Sequence, residues 1–266
     1  MSMSSLKKIV LIILLLSLSL SSFAKQPPAI STSGSKLNVI FLVDNSGSMG
    51  NKYNQVKQAL TKLITNKSLA SQANFSLLTW GSNTCTIYSN GNYYCPRSTY
   101  RTPVYATRQY CYTYYQWRYV YGYGWRYEPY RSCYSYRYVS HYTYTDRYLY
   151  YFVPLNQDKV ANYNEMMKGI AEVDAEGGGT QVGNPMNAIK TYINSAEYKK
   201  NINAECDRTI IIVMSDGYWS QGSIAEQRAR ELYQTHNIPT FVVAFGINSN
   251  SLMVNLASAG QTYPKP

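Results

Sequence analysis

The run LNVIFLVD, residues 37–44, constrains the chain most: it is apolar without a break from Val39 to Val43 and then ends in a carboxylate, Asp44. A strand with one wet face alternates apolar and polar side chains, so an unbroken run reads as a strand covered on both faces. TIIIVMSD, residues 209–216, repeats the pattern and again ends in an acid, Asp216. Around these runs the apolar period changes to that of a helix. Residues 53–66 place Val56, Ala59, Leu60, Leu63 and Ile64 on one face, and residues 158–173 place Val160, Met166, Met167 and Ile170 inward. Two further helices are expected over 183–196 and 221–236. ANFSLLTW (73–80), YLYYFVPL (148–155) and IPTFVVAFG (238–246) read as strands, with no closing helix expected after the last. The succession predicts an α/β fold, a doubly wound and mostly parallel sheet with helices on both faces.

In such a sheet ligands bind beyond the carboxyl ends of the strands, where the strand order reverses. Asp44 sits at that end of the first strand, with Ser46 and Ser48 at alternate positions after it. The same edge receives GGGTQVG, which offers Thr180, and MSDG, which offers Asp216. Two carboxylates and three hydroxyls make a set of hard oxygen donors without His or Cys, which suits Mg²⁺ or Mn²⁺ and argues against zinc. Taken singly, each signal has a plainer reading: DNSGS as a turn and helix cap, Thr180 as a cap, SDG as a turn.

The motifs D-x-S-x-S at 44–48, a threonine after a glycine run at Thr180, and S-D-G at 215–217 resemble the metal-ion-dependent adhesion site of von Willebrand factor A domains. The resemblance covers about residues 37–260, interrupted by a tyrosine-rich segment. It implies a von Willebrand factor A fold holding Mg²⁺ (or Mn²⁺ or Ca²⁺), with Ser46, Ser48 and Thr180 touching the ion and Asp44 and Asp216 acting directly or through water. The ion would keep a position open for a carboxylate on a protein or glycan partner. A finer resemblance, carried by the leader, GGGT before a helix, YINSAEYKK, and a cysteine just before TIIIVMSDG, is to the amino-terminal region of bacterial type IV pilus tip adhesins. It implies pilus components as neighbours.

Residues 1–24 read as an export signal: Lys7 and Lys8, an apolar run, then Ser22-Phe23-Ala24 as a cleavage site. Residues 25–36 form a linker. No other stretch is long and apolar enough to span a membrane, so the mature chain is expected to be exported, to the cell surface, a pilus, the medium or the periplasm. The domain is expected in two parts, 37–80 and 151–266, around an insertion over 81–150.

That insertion changes composition completely. From Tyr88 to Tyr151 lie 22 of the 29 tyrosines, many at every second residue, a strand signal rather than a helix signal. YSNGNY is a turn candidate, because Asn-Gly tolerates positive φ at both central positions. Cys85 and Cys95 are symmetric about Asn90, and Cys111 and Cys133 about Gly122. Disulfides 85–95 and 111–133 are therefore expected, with Cys206 the odd thiol.

The net charge of +11 suggests nucleic acid, but its location matters more: residues 81–155 hold eight arginines, no lysine and only two acids, Glu128 and Asp146. Tyrosine offers rigid contact area, and arginine stacks on rings and grips carboxylate or phosphate. Candidate contacts are Tyr112, Tyr114, Arg118, Tyr121, Trp125 and Arg126, facing a host protein, a glycan, an anionic lipid or polysaccharide, or single-stranded DNA. The alternative is cross-strand packing of the rings on themselves. Function divides accordingly into metal-dependent adhesion, nucleic-acid capture by the ribbon, and hydrolysis by Ser48, Asp216 and His236. The last lacks the glycine a nucleophile elbow needs two residues before its serine, where Ser46 stands, so no enzyme is expected.

Overall fold

The structure is a computed structural model describing residues 36–175, 178–203, 206–245 and 251–262. The expected leader, and all but the last residue of the linker, lie outside these. Two compact units form, one from the described residues up to Arg97 with those from Tyr148 onward, the other from Ser98–Arg147. Among the described residues no helix is long and apolar enough to cross a membrane.

The first unit is built on β1 (Leu37–Asp44), β2 (Ala73–Trp80), β7 (Phe152–Val153), β8 (Arg208–Ser215) and β9 (Thr240–Ala244), in the order β7-β2-β1-β8-β9. β2, β1, β8 and β9 run parallel and β7 pairs antiparallel at the edge. The unbroken apolar runs feed two cores. Ile40 and Leu42 of β1 and Ile211 and Val213 of β8 face one core, while Val39, Phe41, Val43, Ile210, Ile212 and Met214 face the other. The first core is closed by α4 (Gly183–Asn194), α6 (Gly222–His236) and α7 (Ser251–Ala259). The second is closed by α1 (Gly50–Thr65) and α3 (Lys159–Glu172). Short helices α2 (Lys67–Gln72) and α5 (Ala196–Lys200) fill corners, capped by the Asn66 and Ser195 side chains.

Several expectations are corrected. The third strand shrinks from 148–155 to two residues, pairing only with Leu77 and Leu78. Pro154 supplies no donor to extend it. Where β7 runs out, the buried Asn162 amide takes a strand's place, donating to Phe75 O at 2.8 Å and accepting from Phe75 N at 3.2 Å. Asn162, not Val160, therefore faces inward. Val160 lies in the first turn of α3, capped by Asp158, and is 69% exposed. A closing helix is present after all: α7 puts Met253 and Leu256 into the core.

A small hairpin, β3 (Thr86–Ile87) and β4 (Tyr93–Tyr94), belongs to the same unit and is closed by the Cys85–Cys95 disulfide. Its connection is longer than an Asn-Gly turn. It runs over residues 88–92, with Gly91 N donating to Tyr88 O, and only Gly91 takes positive φ.

The second unit is one long hairpin made by β5 (Arg97–Val120) and β6 (Gly124–Tyr148), whose outermost residues Arg97 and Tyr148 count with the first unit. It turns through Tyr121–Tyr123, with Gly122 and Gly124 at positive φ, and is tied by Cys111–Cys133. Both disulfides join the cysteines that symmetry pairs, and Cys206 is free and half-buried.

Candidate metal centre

The strand order reverses between β1 and β8: the chain runs outward from β1 through β2 to β7, then returns to β1's other side with β8 and β9. A crevice at the carboxyl end of that pair is the expected ligand position. Val43 pairs with Met214, so Asp44 and Ser215 emerge side by side. Ser215 Oγ donates to Asp44 Oδ2 at 2.5 Å, and Ser46 N donates to Asp44 Oδ1 at 2.9 Å. Asp44, Ser46 and Asp216 are buried, whereas Ser48 is exposed with its Oγ 3.0 Å from Ser46 Oγ. The 3₁₀ turn at Gly47–Met49 carries the two serines past the strand end, with Met49 buried beneath them.

The second loop leaves β8 at Asp216 and bends at Gly217, whose φ of 86° suits glycine. Its amide donates to Ser215 Oγ, so one serine braces both the turn and Asp44. Asp216 keeps one oxygen, Oδ1, buried without a hydrogen-bond partner among the described residues, while Oδ2 takes Lys52 Nζ from α1 at 3.3 Å. Burial pushes the Asp44 carboxyl above its usual range; the Ser215 and Ser46 hydrogen bonds oppose this, and the nearby Asp216 charge adds to it.

The third loop holds Thr180, half-buried. Thr180 O accepts from Ser220 N at 2.8 Å and from Ser220 Oγ at 3.1 Å, four residues beyond Asp216. Gln181 N donates to Gly81 O at 2.8 Å, just past the end of β2. A methyl group on Gly81 would touch both Asn45 Oδ1 and the Gly179 carbonyl, so this loop also borders the turn after β1. Asn45 ties that turn down, donating to Leu149 O and Asp174 O.

Asp44, Ser46, Ser48, Thr180 and Asp216 thus lie on loops that share one rim. Among the described residues no group of three His, Cys, Asp or Glu is arranged to hold a metal, so an ion here would depend on the hydroxyls. Lys52, Ser215 and Asn45 were not foreseen. Ser215 was visible inside the S-D-G motif, while Lys52 carried no signal beyond its place in the first turns of a helix. His236 ends α6 at the opposite edge, just before Pro239 O accepts from Ile211 N of β8; desolvation lowers the imidazole below its usual range, and the charges of Lys199 and Lys190 add to this. A Ser48–Asp216–His236 triad is not assembled.

The six contact candidates of the hairpin are divided. Tyr112 and Tyr114 touch ring to ring, and Arg118 shares their strand parity. Trp125 packs against Tyr119 on the other face, Arg126 stacks over Tyr123, and Tyr121 sits in the turn, 93% exposed.

A family model described as "von Willebrand factor type A domain" matches residues 135–264. No curated protein matches the chain. Among solved structures, the pilus adhesin SpaC of Lactobacillus rhamnosus GG is similar with a TM-score of 0.51 at 9% identity, covering 88% of this chain and 29% of that one. Proximal thread matrix protein 1 of the mussel byssus gives 0.49 at 14%, covering 84% and 41%. The manganese-loaded TRAP protein of Plasmodium vivax gives 0.41 at 16%, covering 80% and 59%. The chain thus spans about two fifths of the mussel protein and under a third of the adhesin. Identities this low bear on the fold alone, and of these three only the adhesin passes a TM-score of one half. Residues 135–264 match the von Willebrand factor type A family, and the strand order of the first unit is the doubly wound, mostly parallel sheet expected of that fold.

Proposed function

We propose that this chain is an exported adhesion or ligand-binding protein that works through one divalent cation at the β1/β8 switch point. The observation that carries the reading is the buried Asp216 Oδ1, which has no hydrogen-bond partner among the described residues, beside a second buried carboxylate, Asp44, whose own burial raises its pKa. Two acids desolvated together are costly unless a cation stands with them, and Lys52 reaches only one of the four oxygens. Ser46, Ser48 and Thr180 would hold Mg²⁺ (or Mn²⁺ or Ca²⁺) with Asp44 and Asp216 as near or water-mediated ligands, a set whose hardness fits these ions. When bound, such an ion offers an open position to a carboxylate on a protein or glycan partner. The pilus adhesin among similar structures supports a surface or pilus setting, and two disulfides fit an oxidising compartment. No catalytic role is part of this reading.

The test is binding of the full chain to a carboxylate-bearing matrix. Binding should disappear in EDTA, return with Mg²⁺, and be absent in Asp44→Ala and Thr180→Ala proteins that keep wild-type circular dichroism. Retention in EDTA would refute the proposal.

A further inference from the structure

The long hairpin carries a surface that the cation site does not use. Tyr110, Tyr112 and Tyr114 form a row along β5, with successive ring centroids 6.4 and 5.8 Å apart. Tyr134, Tyr136 and Tyr138 form the matching row on β6, 6.3 and 6.0 Å apart. The rows meet where Tyr110 lies 5.5 Å from Tyr134, and Tyr130 joins through Tyr114 at 5.2 Å. The seven rings make one continuous patch, each 38–52% exposed.

Strand parity puts cations on the same face. Arg108 and Arg118 bracket the β5 row at even spacing, and Arg126 precedes the β6 row at the same parity, its guanidinium resting over the turn residue Tyr123 at 4.8 Å. All three are exposed. Between Ser98 and Arg147 there are seven arginines and no lysine, against Glu128 and Asp146. Within the hairpin, arginines already stack on tyrosines: Arg101 over Tyr142 at 3.4 Å and Arg137 over Tyr105 at 4.3 Å. Guanidinium here is placed for flat partners as well as for anions.

A ligand that uses this whole face must offer repeated flat π surfaces and repeated negative charge. A sulfated or carboxylated polysaccharide supplies the charge but no π faces. A peptide supplies rings only sporadically. A single nucleic-acid strand carries one base and one phosphate in every repeat, and stacking on aromatic platforms reads base faces without needing a ribose hydroxyl. We propose that the seven-tyrosine face of the hairpin, with Arg108, Arg118 and Arg126, binds single-stranded DNA independently of divalent metal.

The experiment is fluorescence anisotropy of a labelled oligothymidylate with the full chain in EDTA, across a salt series. Saturable binding is expected, weakening linearly in log affinity with log salt. Arg108→Ala, Arg118→Ala and Arg126→Ala together should flatten that slope by about two, since each phosphate contact on a single strand contributes about 0.7. Tyr112→Leu with Tyr136→Leu should weaken binding about tenfold or more at unchanged slope, while the Phe pair at the same positions restores it. An intact Cys111–Cys133 bond, mapped by mass spectrometry, certifies the hairpin in each variant. No binding at low salt would overturn the proposal. So would equal affinity of the Leu and Phe pairs, which would make the rings packing alone. Dextran sulfate bound as tightly as DNA and indifferent to the tyrosines would assign the face to polysaccharide instead.

Discussion

Lys52 Nζ lies 3.3 Å from Asp216 Oδ2, while the other oxygen of the same buried carboxylate has no partner among the described residues. The Lys52 side chain is itself a third exposed. It supplies one positive charge to a rim that holds two acids, and it stands where a divalent ion would also draw on Asp216.

On the proposed reading, Lys52 would compete with a cation bound at this rim. Lys52→Met should raise Mg²⁺ affinity three- to tenfold, the scale of about 1 kcal/mol for a partly exposed ion pair. The same change should lower the melting temperature in EDTA, because Asp216 then loses the cation that pairs with it among the described residues. Calorimetric titration and thermal melts read both effects. Weaker Mg²⁺ binding in the variant would mean that Lys52 positions the loop rather than competes.

Ser215 braces Asp44 and the Gly217 turn through one hydroxyl. Ser215→Ala should cost about 1.5–3 kcal/mol of stability, the range for a hydrogen bond to a charged group, and should weaken Mg²⁺ binding as well. Denaturant unfolding with and without Mg²⁺ separates the two losses. An unchanged unfolding midpoint would show that the Asp44 contact contributes nothing.

Glu231 on α6 meets Lys190 of α4 at 2.7 Å and Arg228 at 2.8 Å. The Lys190 hydrogen bond, followed by that from Arg228, holds its carboxyl down at about 2. A folded-state value below the ordinary one means that the unfolded chain takes up the proton first as pH falls. The stabilising contribution is therefore complete above the ordinary value of 4.5 and declines as pH drops toward 2. The melting temperature of Glu231→Gln should trail wild type at neutral pH and converge with it across that acid window. A gap that persists unchanged at the acid end would contradict the assignment.

Cys111→Ser with Cys133→Ser opens a link that spans 22 positions of the hairpin. Loops of this size are constrained by roughly 3 kcal/mol when closed. Amide exchange should quicken within residues 98–147 while β1 and β8 stay protected, and Mg²⁺ binding should persist. Accelerated exchange in β1 would show that the hairpin supports the sheet.

What the sequence revealed followed from strong local signals. β1 and β8 were legible because runs such as IIIVM cannot be buried on one side only. The two disulfides were legible because each pair straddles a turn glycine or asparagine at equal distance. The failures share a cause in tertiary context. The tyrosines and valine of YLYYFVPL look like a full strand, yet Pro154 and the Asn162 amide leave room for two paired residues. Val160 belonged to the apolar count of α3 but fell in its capped first turn. Of the rim, the serines, Thr180 and the two acids were named from motif spacing. Lys52 carries no such signal, and Ser215, though it lies within S-D-G, shows its bracing role only once β8 is placed beside β1.

The most direct test is a crystal of the chain grown with Mn²⁺ and examined by its anomalous signal. The account predicts one strong peak at the β1/β8 rim, about 2.0–2.2 Å from Ser46, Ser48 and Thr180 hydroxyls, with Asp44 and Asp216 beside it. A rim without a peak, or an ion that leaves Thr180 and Asp216 untouched, would contradict it.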